Sequence, residues 1–227
     1  MATVDAWLAA RVEELRTDRV HGAGFLARRA VGSLVEAAER GLDPVEAARA
    51  LAEARPAMGA IAGAVGRVAA AGQVTESGPS LLARYERAPR SIAVLFAGRA
   101  NRPFTHSTSA TVREAFGHAG VSPEASPATA DAVVVGADAV FEDGSVVNAA
   151  GTRELAARGL PLLVLAETLK LVPTPPRVPE DAAFDLTPAE LVRAILTEEG
   201  AFAPSEIASL CDRTPFLREG FELLGLS

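Results

Sequence analysis

A carboxylate, an amide and a helix start follow one another closely in this chain: Asp138, Asn148 and Gly151-Thr152. They come after Ala132–Val135, an apolar run that reads as a buried parallel strand ending at Gly136. In an open α/β sheet, ligands collect outside the carboxyl ends of the strands. Asp138 therefore stands where a carboxylate transfers a proton or binds a hydroxyl, unless it only caps the following turn. Ser107 and Thr108 open a helix expected over 110–119, where hydroxyls and backbone N–H groups suit a phosphate; the alternative is that one of them caps the helix. Arg99 and Arg102 lie between an expected strand end and Thr105-His106, and their guanidinium forks match phosphate, although solvated surface arginines look the same. Lys170, the sole lysine, follows the apolar run Leu160–Ala166 and so falls on the same sheet edge, as does Glu167; a structural role is the alternative for both. His106 reads as hydrogen-bonding support, because no His, Asp or Glu spacing around it completes a metal site. His21, beside Gly22-Ala23-Gly24, is a further cleft candidate. That glycine pair is not a dinucleotide fingerprint, since no strand precedes it and the third glycine is absent.

Positioning these side chains requires two kinds of architecture. Val4, Leu8, Val12 and Leu15 repeat at helical spacing over 4–16. Leu26, Ala30, Leu34 and Ala38 mark a second helix that runs to about Arg40 and stops at Gly41. Asp43-Pro44 caps and starts a third, ending near Arg55-Pro56, and the small-residue run Met58–Gly72 reads as a fourth. No strand is expected before residue 90, so residues 1–89 are expected to form an all-α domain. Beyond it, strands are expected at Ile92–Ala97, around Val133 and at Leu160–Ala166. Helices are expected at 110–119, 152–158 and from Thr187-Pro188 through Leu196, with 173–179 a proline-rich loop. Alternating strands and helices give a parallel sheet. The expected fold class is α/β, an N-terminal helical domain plus a truncated Rossmann-like domain over 90–227.

Composition narrows the function. A chain of 227 residues can bury a substantial core, and a formal charge of −7 argues against nonspecific nucleic-acid binding while leaving room for a local phosphate pocket. The single cysteine, Cys211, sits among apolar residues and reads as packing; one cysteine excludes an internal disulfide and suits a reducing, cytoplasmic setting. No stretch has the length and apolarity of a membrane span, and the amino-terminal residues carry no signal-peptide core.

The segment VGADAVFEDGSVVNAAGT resembles the G-A-D…N-K-x-G-T region of one superfamily. It comprises the α, β and δ subunits of translation initiation factor 2B, methylthioribose-1-phosphate isomerase and ribose-1,5-bisphosphate isomerase. AETLK (166–170) and FDLTPAELVRAILTEEG (184–200) resemble its A-E-(S/T)-x-K and F-D-x-T-P…T-E-x-G segments, in the family's order. Upstream, VHGAGFLARRA resembles the R-G-A helix start, Ala54-Arg55-Pro56 the T-R-P, and Phe104–Ser107 the T-H-C. The resemblance implies a phosphorylated ribose or nucleoside monophosphate bound between the two domains, no metal or organic cofactor, and a homodimer or larger homo-oligomer. The isomerase branches imply methionine salvage or nucleotide metabolism. By motif position, Arg55, His21, Gly22 and Ala23 would hold phosphate or sugar, Asn148 would orient the sugar, and Asp138 with Ser107 would occupy the proton-transfer positions. Three departures stand out: the thiol is Ser107, the family lysine is Ala149, and the R-G-A arginine is His21. A serine hydroxyl is a much weaker acid than a thiol, so isomerase chemistry is expected to be weak. Residues 120–130 are also too short for the family's extra βα unit, of which at least one is expected to be missing.

Overall fold

The computed structural model describes residues 5–227; the apolar position expected at Val4 lies outside the described residues. Five helices come first: α1 (Ala6–Thr17), α2 (Ala23–Glu39), α3 (Pro44–Ala52), α4 (Gly59–Ala70) and α5 (Val74–Phe96). Their starts follow from local chemistry. The Asp5 carboxylate accepts from Trp7 N at 2.9 Å, and Asp43 accepts from Val45 N at 2.8 Å and Glu46 N at 2.9 Å, with Pro44 in the first turn. α4 is the axis of the helical part, buried along nearly its whole length. Its small residues permit that: a Cβ at Gly63 would fall 2.5 Å from Leu169 O, and one at Gly59 2.4 Å from Val172 Cγ2.

A five-stranded sheet has the order β1-β2-β5-β8-β9, made of β1 (Pro103–Phe104), β2 (Ala132–Val135), β5 (Leu162–Leu165), β8 (Val192–Thr197) and β9 (Gly200–Phe202). Its first four strands run parallel and β9 is antiparallel to β8. A second, mixed sheet has the order β6-β3-β4-β7, from β3 (Ala139–Phe141), β4 (Val146–Ala149), β6 (Leu171–Val172) and β7 (Phe184–Thr187). Helices α6 (Ala110–Ala119) and α7 (Thr152–Ala156) connect strands, and α8 (Ile207–Arg213) and α9 (Leu217–Leu224) close the chain. The fold is α/β, with helices preceding mixed sheets that contain parallel strands. β1 pairs directly with β2, and 120–131 between α6 and β2 holds one 3-10 turn and no strand.

Two expected elements are corrected. Ile92–Ala97 is not a strand but the end of α5: Ile92, Ala93 and Phe96 are buried while Val94 is 57% exposed, one face of a helix. That face packs with Val112, Ala115 and Phe116 of α6 against Val134, Leu163, Leu165 and Leu196 of the large sheet. The division expected between residues 89 and 90 falls inside this helix. The helix expected from Thr187 through Leu196 is a 3-10 turn at 189–191 followed by β8, whose Ile195 and Leu196 are fully buried between β5 and β9. Thr197–Gly200 is accordingly the turn of an antiparallel pair.

Candidate functional site

The carboxyl ends of β1, β2 and β5 and the loop after β4 meet at one edge. After β1, the chain turns through Thr105–Ser109 into α6. Ser109, rather than Ser107 or Thr108, caps that helix, its hydroxyl accepting from Val112 N at 3.4 Å. Ser107 Oγ accepts from Ser109 N at 3.2 Å and from Gly136 N at 3.4 Å, which ties the loop to the end of β2. Gly136 permits the approach: a Cβ there would lie 2.8 Å from Ser109 Cβ. Thr108 is exposed, and its side chain makes no hydrogen bond among the described residues.

Asp138 follows two residues later. Its backbone is fixed on both sides, its N–H donating to Val147 O at 2.8 Å and its carbonyl accepting from Ala60 N at 3.3 Å. Its carboxylate accepts no hydrogen bond from any described residue. Burial pushes its pKa up, and the charges of Lys170 and Arg55 oppose that rise. Lys170 is 5% exposed and pairs with the equally buried Glu167 at 2.9 Å. Glu167 also accepts the Thr111 hydroxyl from α6. Burial raises the Glu167 pKa, but Lys170 and the Thr111 hydroxyl outweigh it and the group is held below the usual carboxylate range. Lys170 thus serves a buried ion pair and also lends charge to Asp138.

Asn148 is buried and donates Nδ2 to Thr152 Oγ1 at 3.1 Å. Thr152 in turn donates its one proton to Ala149 O at 2.7 Å, and its Oγ1 lies 3.2 Å from His106 Nε2. With the hydroxyl proton spent on Ala149, the His106 contact is sound only if Nε2 carries the hydrogen. Nδ1 of His106 is buried without a partner among the described residues. Asp185 on β7 holds the start of α7 in place by accepting from Gly151 N at 2.7 Å and Arg153 N at 3.2 Å.

Arg55 is 8% exposed and donates to Asp18 O. Burial and the neighbouring Arg19 lower its pKa, while Asp181, Asp138 and Asp18 raise it. The structure therefore brings Asp138, Ser107, Asn148, His106 and Lys170 to one edge, with Arg55 within electrostatic reach. His21 is turned elsewhere: its Nδ1 lies 2.8 Å from Asp18 Oδ2 and its ring stacks on Phe25 with centroids 3.9 Å apart. The His21 backbone N–H, then that side-chain pairing and the Val20 N–H, draw the Asp18 pKa down to about 2. Gly22 and Ala23 form the N-cap and first residue of α2. Arg99 is a correction. It precedes β1 at the amino end of the parallel strands, and its Nε donates to Leu95 O at 2.7 Å, closing α5. Its expected place followed from reading 92–97 as a strand.

Sequence reasoning passed over Thr111, Ser109 and Asp185, and took Thr152 only as part of a helix start. Only Thr152 had a visible signal, the Gly-Thr helix start after Asn148. Among the described residues no group of three His, Cys, Asp or Glu side chains gathers as a metal site, and no helix is long and apolar enough to cross a membrane.

The model of the Initiation factor 2 subunit family matches residues 124–181, the stretch that holds Asp138, Asn148, Thr152, Glu167 and Lys170. The chain is 41% identical over 110 residues to ribose 1,5-bisphosphate isomerase of Haloferax volcanii, covering 35% of this chain and 34% of that protein. It is 37% identical over 108 residues to methylthioribose-1-phosphate isomerase of Trichormus variabilis, covering 34% and 31%. The matches span about a third of the length of these curated relatives. In the first, 110 aligned positions occupy only 35% of this chain, so the relative carries extra residues inside the matched stretch. In structure, the chain is similar to the tetrameric eIF2B-beta2-delta2 complex from C. thermophilum, with a TM-score of 0.78 and 18% identity over 90% of this chain and 93% of that one.

Proposed function

We infer the function of this chain from its similarity to the Initiation factor 2 subunit family and to the two isomerases: it binds a phosphorylated ribose or a nucleoside monophosphate at the carboxyl ends of its parallel strands. The observation that carries this reading is the Asp138 carboxylate, which no described residue hydrogen-bonds although two cations act on it. A carboxylate so placed accepts from vicinal hydroxyls of a sugar. The Asn148 Oδ1, left over when Nδ2 is given to Thr152, is a second acceptor of the same kind. Arg55 supplies the positive end that a phosphate requires.

Turnover is expected to be weak. Aldose–ketose isomerisation moves a proton between C1 and C2 of the sugar, which calls for an acid and a base of matched pKa. Ser107 Oγ accepts two backbone N–H groups, and no imidazole or carboxylate among the described residues hydrogen-bonds it. It therefore lacks the base that would activate it. The second reading is an isomerase acting on a 1-phosphorylated ribose, with Asp138 moving the proton; the 41% identity to a ribose 1,5-bisphosphate isomerase favours it. The similarity to a tetrameric complex supports a homodimer or larger assembly, and a monomer by light scattering at micromolar concentration would refute that part.

Calorimetric titration with ribose-1,5-bisphosphate and with adenosine monophosphate tests the binding reading. Saturable binding that Asp138→Ala and Arg55→Gln each abolish, with circular dichroism unchanged, supports it. Binding unaffected by either substitution refutes it.

A further inference from the structure

Two carboxylates, Glu167 and Asp138, stand around one buried ammonium. Lys170 is the sole lysine of the chain. It closes the 3-10 turn Thr168–Lys170 that Glu167 opens, and such a turn eclipses side chains three residues apart. That geometry places Lys170 Nζ 2.9 Å from Glu167 Oε2. The turn is held from outside, Thr168 N donating to Glu198 Oε2 at 2.9 Å. Glu167 is held from α6, its Oε1 accepting the Thr111 hydroxyl. Its Oε2 has no partner but the ammonium among the described residues. The Tyr85 phenol of α5 also lies near Glu167, but burial pushes its pKa well up and it stays neutral.

Asp138 is the partner that Lys170 does not take. Leu171 of β6 is in register with Val140 of β3, so Lys170 stands opposite Ala139 and beside Asp138, on parallel strands about 4.8 Å apart. The four-carbon stem of a lysine spans that separation. Two cations act on Asp138, Lys170 more strongly than Arg55, yet its half-buried carboxylate accepts no hydrogen bond from either. We propose that Glu167 is a positioning residue: by claiming the Lys170 ammonium, it keeps the Asp138 carboxylate unpaired and open to the hydroxyls of a ligand. The ligand half of this inference rests on the ribose-phosphate reading above. Without the Glu167 charge, the ammonium turns to the one carboxylate left within reach and occupies its acceptor positions. Thr111 extends the arrangement to α6, whose preceding loop carries Ser107.

NMR of the ¹³C,¹⁵N-labelled protein tests this, since a single lysine gives a single ammonium resonance. Scalar coupling across the hydrogen bond is expected from Lys170 ¹⁵Nζ to the Glu167 carboxylate carbon in the parent, and to that of Asp138 in Glu167→Gln. Stability reads the same exchange with no ligand present. Asp138→Asn is expected to raise the urea midpoint of the parent at neutral pH, and to lower it in the Glu167→Gln background, where it strands the ammonium. Ribose-1,5-bisphosphate binding is expected to weaken about tenfold in Glu167→Gln. A Glu167 that serves stability alone leaves Asp138→Asn stabilising in both backgrounds, and that result overturns the proposal. Coupling from Lys170 to Asp138 in the parent also overturns it, a measurement that needs no variant to fold. So does bisphosphate binding by the parent that Glu167→Gln leaves unchanged. Absence of bisphosphate binding by the parent, with the sign reversal present, removes the function proposed above and leaves the role of Glu167 standing.

Discussion

Replacing Thr152 by valine tests the polar network that presents Asn148. Thr152 is fully buried, and its hydroxyl holds Asn148 Nδ2 at 3.1 Å, Ala149 O at 2.7 Å and His106 Nε2 at 3.2 Å. Valine has nearly the same shape and none of these contacts. A buried donor or acceptor left without a partner costs about 1–3 kcal/mol. Asn148 is buried, whereas Ala149 and His106 are half-buried and can recover part of their loss from water. The expected destabilisation is therefore about 2–4 kcal/mol. Thr152→Ser keeps the hydroxyl and removes one methyl group, at a cost of about 1 kcal/mol. Urea unfolding of the three proteins gives the differences directly, and ¹⁵N NMR of the imidazole reports whether His106 carries its hydrogen on Nε2 in the parent. A valine variant within about 0.5 kcal/mol of the parent would refute the network, since surface substitutions fall in that range. So would a serine variant as unstable as the valine one, or a His106 hydrogen on Nδ1.

Four further outcomes follow from other residues of the site and the core. Lys170→Met strands the buried Glu167 carboxylate and is expected to cost about 3–5 kcal/mol, much of it recovered in the double variant with Glu167→Gln, as urea midpoints would show. Because the Glu167 pKa is depressed on folding, its contribution is present above the ordinary carboxylate range and is lost as pH falls through its folded value; the gap between parent and Glu167→Gln should narrow in acid. Asp138 has the opposite sign: its pKa is raised on folding, so stability falls as pH rises from the ordinary carboxylate value through the folded one. Asp138→Asn should be more stable than the parent at neutral pH and equal to it in acid, while losing the sugar ligand. Gly220→Ala should destabilise by about 1–3 kcal/mol and more than Gly66→Ala, because a Cβ at Gly220 meets Gly66 C at 2.5 Å, whereas one at Gly66 stays 3.0 Å from its neighbours.

Much of the fold was legible because local chemistry and periodicity agreed. Asp43-Pro44 dictates where α3 starts, and Ala132–Val135 is buried at every position, as a strand between two parallel neighbours must be. The expected helix over 110–119 coincides with α6. Ile92–Ala97 misled because a short apolar run suits a central strand and the buried face of a helix equally; only the packing of Ile92, Ala93 and Phe96 on α6 and the large sheet decides. The stretch from Thr187 through Leu196 misled in reverse, because Thr187-Pro188 suits a helix start although Ile195 and Leu196 lie between β5 and β9. Arg99 was misplaced as a direct consequence of the first error. Asp138 and Asn148 could be picked out because they follow recognisable strands. The role of Thr152 could not, since it depends on three groups from separate segments meeting at one hydroxyl.

The central claim is a ribose-phosphate site that binds without efficient turnover, and ³¹P NMR reads both halves at once. The protein would be mixed with ribose-1,5-bisphosphate and, separately, with methylthioribose-1-phosphate, beside a Ser107→Cys variant. The expected result is saturable broadening of the ligand resonances with the parent protein and no ketose signal, with any ketose confined to the cysteine variant. Ketose formation by the parent protein would contradict the account of Ser107, and unbroadened resonances with both ligands would contradict the site itself.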